Sequence, residues 1–434
     1  MTNVEATVVS DILADLRWRG LVHQTTDDAH LGEWLGAASR TVYAGFDPTA
    51  DSMHVGSLMP LMMLRRFQRA GHRPIAVVGG ATGMIGDPSG KSDERNLLSV
   101  ETLETNVAAM AEQMRAFLDF SGPRGALLVN NYDWMRGFSY LEFLRDIGKH
   151  FPVNVMLAKD SVRGRLERSD SGISYTEFSY MLLQAYDFVY LNDKHGCELQ
   201  VGGSDQWGNV TAGIDLARRL RSKQLYGLTC PLLTKSDGGK MGKTESGAIW
   251  LSAARTSPFK FYQYWINVED ADAGKCLRFL TELGREEIEA LDTARAADAG
   301  KRESQRRLAE ELTRLVHGER GLAAAQRATA VLFGAEIADL TDSQLLEIFA
   351  DVPSRSLPLE RLSAGLNIVD ALVEAGLAKS KSEARRTVEQ GGAYVNNRRV
   401  EGVARQLGPA DLAGESSLVL RSGKKNYAVV QFSR

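Results

Sequence analysis

The sequence predicts an α/β protein, built on a parallel sheet with helices on both faces, then an all-α unit and a small α+β unit. Three observations predict this. Short apolar runs bounded by Gly or Pro alternate with helix-period segments between residues 41 and 221, which is the pattern of a parallel sheet. Strand signals then stop near Ser252, and residues 257–350 are rich in Ala, Leu, Glu and Arg. Beyond Pro353 and Pro358, residues 363–434 hold eleven lysines and arginines against seven acids, so that unit is locally basic. A chain of 434 residues is too long for one ordinary domain. The expected divisions are 1–251, 252–350, a linker at 351–362, and 363–434.

Residues 1–40 read as helical, because Val8, Ile12, Leu13 and Leu16 recur at helix spacing. Strands are predicted at 41–46, 73–80, 126–131 and 198–203. Helices are predicted at 58–70, 102–120, 138–148, 175–191 and 205–221. In the basic unit a helix at 368–375 precedes a strand at 393–395, and Asn396-Asn397 is a tight-turn signal.

An apolar share of 44% and a charged share of 25% describe an ordinary soluble globular chain. Its net charge of −3 gives no global pull toward nucleic acid, so any basic surface is local. Cys197, Cys230 and Cys276 are few and far apart, which argues against a disulfide framework or a zinc site and fits a reducing cytoplasm. The first ten residues lack a secretory or transit pattern. No apolar run approaches membrane-spanning length, so no membrane partner is expected.

The chemistry centres on Tyr43–Ser57. A β-type run ends in turn residues and a helix starts at Leu58. Backbone N–H groups and the helix dipole then converge on one point, which favours an anion. Gly56 permits close approach and His54 adds a donor. Alone, this is a βα turn with an incidental histidine. A second stretch, Lys235–Thr244, is Gly-rich with Lys240 and Lys243 three apart. Alone, that is a solvated loop. Together the two look like the paired signatures of class I aminoacyl-tRNA synthetases, a resemblance that implies a nucleotide seated by one and mobile cations supplied to a leaving pyrophosphate by the other. A further feature is a helix with Tyr180, Gln184 and Asp187 at i, i+4 and i+7, hence on one face. By pattern alone this polar stripe is equally well a solvent face.

Residues 41–250 resemble the catalytic domain of bacterial tyrosyl-tRNA synthetases, members of the class I aminoacyl-tRNA synthetases. The matching segments are Tyr43–Ser57, 77–91, 174–190, 199–211 and 240–251. The resemblance extends to the three-part layout. It implies a Rossmann-like catalytic domain with a helical dimerisation insert, an α-helical anticodon-region domain, and a small RNA-binding domain. It implies ATP and Mg²⁺, the metal carried on the phosphates with no protein ligands. It also implies L-tyrosine and tRNA(Tyr) as substrates and a homodimer.

Residue by residue, the resemblance places Asp47, Thr49, His54 and Gly56 at ATP, with Asp205 on its ribose. Thr49 reads equally as a turn or capping residue. Lys240, Lys243 and Thr244 match the mobile signature loop; Lys91 and Arg95 match a second cationic loop. Ser57 stands where the signature has a second histidine, which implies a reduced contribution there. Tyr180, Gln184 and Asp87 are implied to hold the substrate ammonium group. Tyr43 and Asp187 are implied to meet its phenolic hydroxyl. Gln200 and Gln206 complete the lining, Gln206 toward the carboxylate. Lys379, Lys381, Arg385, Arg386, Arg398 and Arg399 are the expected RNA contacts. The rivals are a tryptophanyl-tRNA synthetase, whose indole suits Tyr43 and Asp187 less well, and an RNA-binding protein without synthetase activity.

Overall fold

The computed structural model describes residues 11–89, 98–166, 172–244, 247–337, 340–350, 352–424 and 426–433, with backbone alone at 160, 161, 165, 243 and 244. The chain forms two compact units. The first comprises 1–257 and 264–318, the second 258–263 and 319–434. The helical stretch expected over 252–350 thus contributes to both.

The first unit is built on a six-stranded sheet. Its strands are β1 (Gln24–Thr25), β2 (Thr41–Phe46), β3 (Arg73–Val78), β4 (Leu127–Asn130), β5 (Cys197–Gly203) and β6 (Tyr226–Cys230), in the order β1-β6-β5-β2-β3-β4. All neighbours are parallel except β1, which pairs antiparallel with β6. Strand order reverses between β2 and β5, and crevices at such points bind ligands at the strands' carboxyl ends. β3 reads Arg-Pro-Ile-Ala-Val-Val, and all but its first residue are buried, as a strand covered on both faces must be. β6 was not among the predicted strands: Gly227 and Thr229 interrupt its apolar run.

Helices cover the sheet where the periodicity places them. Leu58–Arg69 buries eight of its residues, from Leu58 to Phe67. Tyr175–His195 starts on Ser174, whose hydroxyl accepts the Glu177 amide at 3.2 Å, and ends on a left-handed Gly196. Its buried face packs with Tyr43, Ile75, Val77, Trp134 and Leu216 in one core. Cys197, Cys230 and Cys276 are each fully buried and unpaired in disulfides. Burial pushes the Cys230 and Cys276 thiols up to about 12, and Cys197 higher still.

In the second unit a five-stranded sheet includes Ala393–Val395, Arg398–Arg399, Ser417–Ser422 and Asn426–Ser433. Asn396 and Asn397 adopt φ of 48° and 63°, both left-handed, as a two-residue hairpin turn requires. The expected linker differs. Ser354–Pro358 is an edge strand, parallel to Asn426–Ser433, and Leu359–Ser363 is a short helix. Pro353 and Pro358 lie before and at the end of this strand, positions where a missing N–H is tolerated.

Candidate active site

β2 delivers its chain into an extended loop that closes in a single 3₁₀ turn, Val55–Ser57, directly before the helix Leu58–Arg69. Nδ1 of His54 accepts the Gly56 amide at 2.9 Å. The proton of the neutral ring therefore sits on Nε2, which is a donor. A Cβ at residue 56 would lie 2.7 Å from Cε1 of His54, so a larger residue there would displace the imidazole from this position. The Ser57 amide donates to the His54 carbonyl at 2.8 Å, and its side chain makes no capping bond.

Below this turn, at the carboxyl ends of β2 and β5, lies a cavity of about 600 Å³. It is lined by Tyr43, Asp47, His54, Gly56, Asp87, Tyr180, Gln184, Asp187, Gln200, Asp205, Gln206 and Lys240, among others. Twelve of the predicted positions thus converge on one hole. The polar stripe on the helix Tyr175–His195 faces that hole rather than solvent. Thr49 is exposed and is not part of this lining; its amide closes a local turn on the Asp47 carbonyl at 2.9 Å. Lys91 and Arg95 lie outside the described residues. Lys243 and Thr244 form a two-residue strand against Gly247–Ala248, and their side chains lie outside the described atoms.

At the inner end, Asp187 is buried. Its carboxylate accepts the Trp134 indole N–H at 2.8 Å and the Asn131 amide at 3.1 Å. Burial pushes this carboxyl up to about 7, against the lowering pull of both donors. Tyr43 is 1% exposed, and its hydroxyl has no hydrogen-bond partner among the described residues. Burial first, then the neighbouring Asp187 charge, hold that phenol well above its ordinary range, so it stays neutral. A buried unpaired hydroxyl costs about 1–3 kcal/mol. Oε1 of Gln184 and Oε1 of Gln200 are unpaired in the same lining. Three unsatisfied polar atoms around one cavity define a site shaped for a polar guest.

Gln206 sits at a crossing of hydrogen bonds. It donates to Asp87 at 2.6 Å and accepts from Gln184 and Asn209, each at 3.2 Å. Asp87 also accepts the Ser89 amide at 2.9 Å. Tyr180 donates to Asp47 at 3.4 Å, and Thr82 does so at 3.3 Å. Asn131 bonds both Thr82 and Asp187, which ties the two carboxylates into one network. The sequence reading missed Asn131 and Trp134. Each reads as an ordinary core residue, and no spacing links either to Asp187.

Lys379, Arg385, Arg386, Arg398 and Arg399 are exposed on the second unit, as is Lys381. Lys381 pairs with Asp370 at 2.6 Å, and Arg398 pairs with Glu336. These two cations are partly neutralised by their own unit.

The reversed strand order, the His-bearing turn and the Gly-rich lysine loop together define a class I amino-acid-activating scaffold. Residues 37–334 match the family of tRNA synthetases class I (W and Y). Residues 344–430 match the tyrosine–tRNA ligase SYY-like C-terminal domain. The tyrosine–tRNA ligase of Rhodopirellula baltica is 61% identical over 99% of this chain and 98% of its own. That of Roseiflexus castenholzii is 53% identical over 98% of this chain and the whole of its own. A C-terminally truncated mitochondrial tyrosyl-tRNA synthetase of Aspergillus nidulans superposes with a TM-score of 0.67 at 32% identity, covering 75% of this chain and 94% of its own. The chain belongs to the class I tRNA synthetases, and within them to the tyrosine–tRNA ligases.

Proposed function

We propose that the chain activates L-tyrosine with ATP and transfers it from tyrosyl-adenylate to the 3′ end of tRNA(Tyr), releasing pyrophosphate and AMP. The observation that carries this reading is the inner end of the cavity. A neutral phenol without a partner, Tyr43, and a braced carboxylate, Asp187, line the same closed end. A guest phenol can accept from one and donate to the other. An indole offers a single donor and leaves Tyr43 unsatisfied.

The remaining groups act on position and charge. The carboxylate of tyrosine attacks the α-phosphorus, and pyrophosphate leaves with the bond electrons. No protein base is needed, because the nucleophile is already ionised. Tyr180, Gln184 and Asp87 hold the ammonium group, and Gln200 and Gln206 complete the polar lining. His54, the Gly56 backbone and Asp47 receive the nucleotide, with Asp205 at its ribose. The lysines at 240 and 243, with Lys91 and Arg95, meet the charge on the departing pyrophosphate. Mg²⁺ brought in with ATP would offset phosphate charge during the displacement. In the second step a terminal ribose hydroxyl of the tRNA attacks the acyl carbon and AMP leaves.

Seven of the exposed large apolar residues among those described fall between 140 and 175, from Tyr140 and Leu141 to Tyr175. Exposed apolar side chains concentrated in one stretch favour a partner surface, and we assign this stretch to contact with a second copy of the chain. The anticodon region is assigned to the helices of 252–350 and the outer tRNA contacts to the basic 363–434 segment. Among the described residues no helix is long and apolar enough to cross a membrane; a cytoplasmic site of action accords with the reduced thiols.

ATP–pyrophosphate exchange, run with each of the twenty amino acids, tests the reading. Exchange is expected with tyrosine alone. Exchange with tryptophan, or none at all beside intact tRNA binding, overturns it.

A further inference from the structure

The signature loop is held at both ends by the helices that follow it. At its entry, Nζ of Lys275 donates to the Thr234 carbonyl at 2.5 Å and lies 3.4 Å from its hydroxyl. In the middle, Met241 is buried with its sulfur 3.4 Å from the Cys276 sulfur. At its exit, the Gly242 amide donates to the hydroxyl of Tyr264 at 2.7 Å. Gly242 lies between Met241 and Lys243, so this bond fixes the peptide next to a signature lysine.

The exit also touches the first signature. Gly242 has φ of +85°, and a Cβ there would lie 2.7 Å from Cβ of Val55, in the histidine-bearing turn. The Gly242 carbonyl accepts from Ile249 at 2.8 Å, and the Ile249 carbonyl accepts from Val55 at 3.0 Å. The anchoring helix is itself secured. Lys275 and Cys276 lie on Asp270–Leu280, and Nη2 of Arg66 donates to the Thr281 carbonyl just beyond its end at 2.6 Å. Arg66 stands on Leu58–Arg69, the helix that the first signature opens. Turn, helix, arginine, second helix, lysine and loop thus form a closed mechanical circuit within the first unit.

We propose that Tyr264 and Lys275 are positioning residues for adenylate formation: they fix the loop backbone that carries Lys243, without touching either substrate. Electrostatic stabilisation is sharply dependent on placement, since a displacement of about 1 Å can cost roughly a hundredfold in rate. Neither residue is needed to bind tyrosine, whose pocket is built from β2, β5 and the helix Tyr175–His195.

The inference rests on the loop being the pyrophosphate-facing element, and one set of variants separates the two ideas. Full-length Tyr264→Phe, Lys275→Met and Lys243→Ala are compared in single-turnover tyrosyl-adenylate formation, with tyrosine Kd measured in parallel. Tyr264→Phe loses one hydrogen bond and is expected to slow the step about 5–30-fold, with tyrosine Kd within about twofold. Lys275→Met is expected to act in the same direction. In a Lys243→Ala background the Tyr264→Phe effect should largely disappear, because both act through one lysine. A Tyr264→Phe enzyme at full rate, beside a crippled Lys243→Ala enzyme, overturns the tether alone. So does a loss that adds fully to Lys243→Ala, or one that appears equally in tyrosine Kd. An unimpaired Lys243→Ala enzyme overturns the loop reading and the tether with it.

Discussion

Asp187 pays for function in a measurable way. Its pKa of about 7 stands above the ordinary 3.8 because burial outweighs two hydrogen bonds. Between those values the folded chain holds a proton that the unfolded chain has released. Stability from this group therefore falls as pH rises from about 4 to about 7. Asp187→Asn removes that loss. The variant should gain stability relative to the parent as pH rises through this window, read as a growing difference in urea midpoint. It should also lose a charged acceptor for the phenol, worth about 1.5–3 kcal/mol, so that kcat/KM for tyrosine falls about 10–100-fold. In the parent enzyme, tyrosine affinity should strengthen from pH 6 toward pH 8 as the carboxylate ionises; a flat profile in isothermal titration contradicts this. At this scale the sequence carried twelve of the residues that line the cavity, because their motifs are contiguous or helical in spacing. It did not carry Asn131, Trp134 or Tyr264, each of which acts across long separations on a partner that only the fold supplies.

Among the elements, the tight turn of the basic unit shows how two residues set a structure. Asn397 is left-handed and buried, and its side-chain amide donates to the carbonyls of Val331 at 2.9 Å and Ala335 at 2.8 Å. Asn396 accepts the Val419 amide at 2.9 Å and donates to the Asp411 carbonyl. Asn397→Ala removes two bonds and adds strain at positive φ, a loss of about 1–3 kcal/mol. The urea transition of residues 319–434 should move down while pyrophosphate exchange is unchanged. That hairpin was legible because consecutive asparagines tolerate positive φ. The strand Ser354–Pro358 was not legible, since its prolines imitate a linker, and β6 was hidden by Gly227 and Thr229. Edge position excuses the first; burial between β5 and β1 excuses the second.

For the whole molecule, the exposed apolar stretch and the basic face make separable predictions. Leu141 is 75% exposed. Leu141→Asp should abolish the proposed self-association, leaving a monomer in sedimentation equilibrium, and a variant that still dimerises would place the interface elsewhere. The double change Arg385→Ala and Arg386→Ala should weaken tRNA binding and flatten the log–log salt dependence by roughly 1–2 units, about one per lost phosphate contact. An unchanged slope removes these arginines from the interface. Paired Lys381 and Arg398 should contribute less on substitution, since each already answers an acid.

The three buried cysteines have a practical corollary. With every native sulfur shielded and reluctant to ionise, aromatic disulfide reagents should find almost no reactive group until the chain is denatured, when three should respond. A single cysteine introduced on the same loop at Ser236, which is exposed, could then carry a fluorophore with all three native cysteines left in place. Its emission would follow the lysine arm through each catalytic cycle.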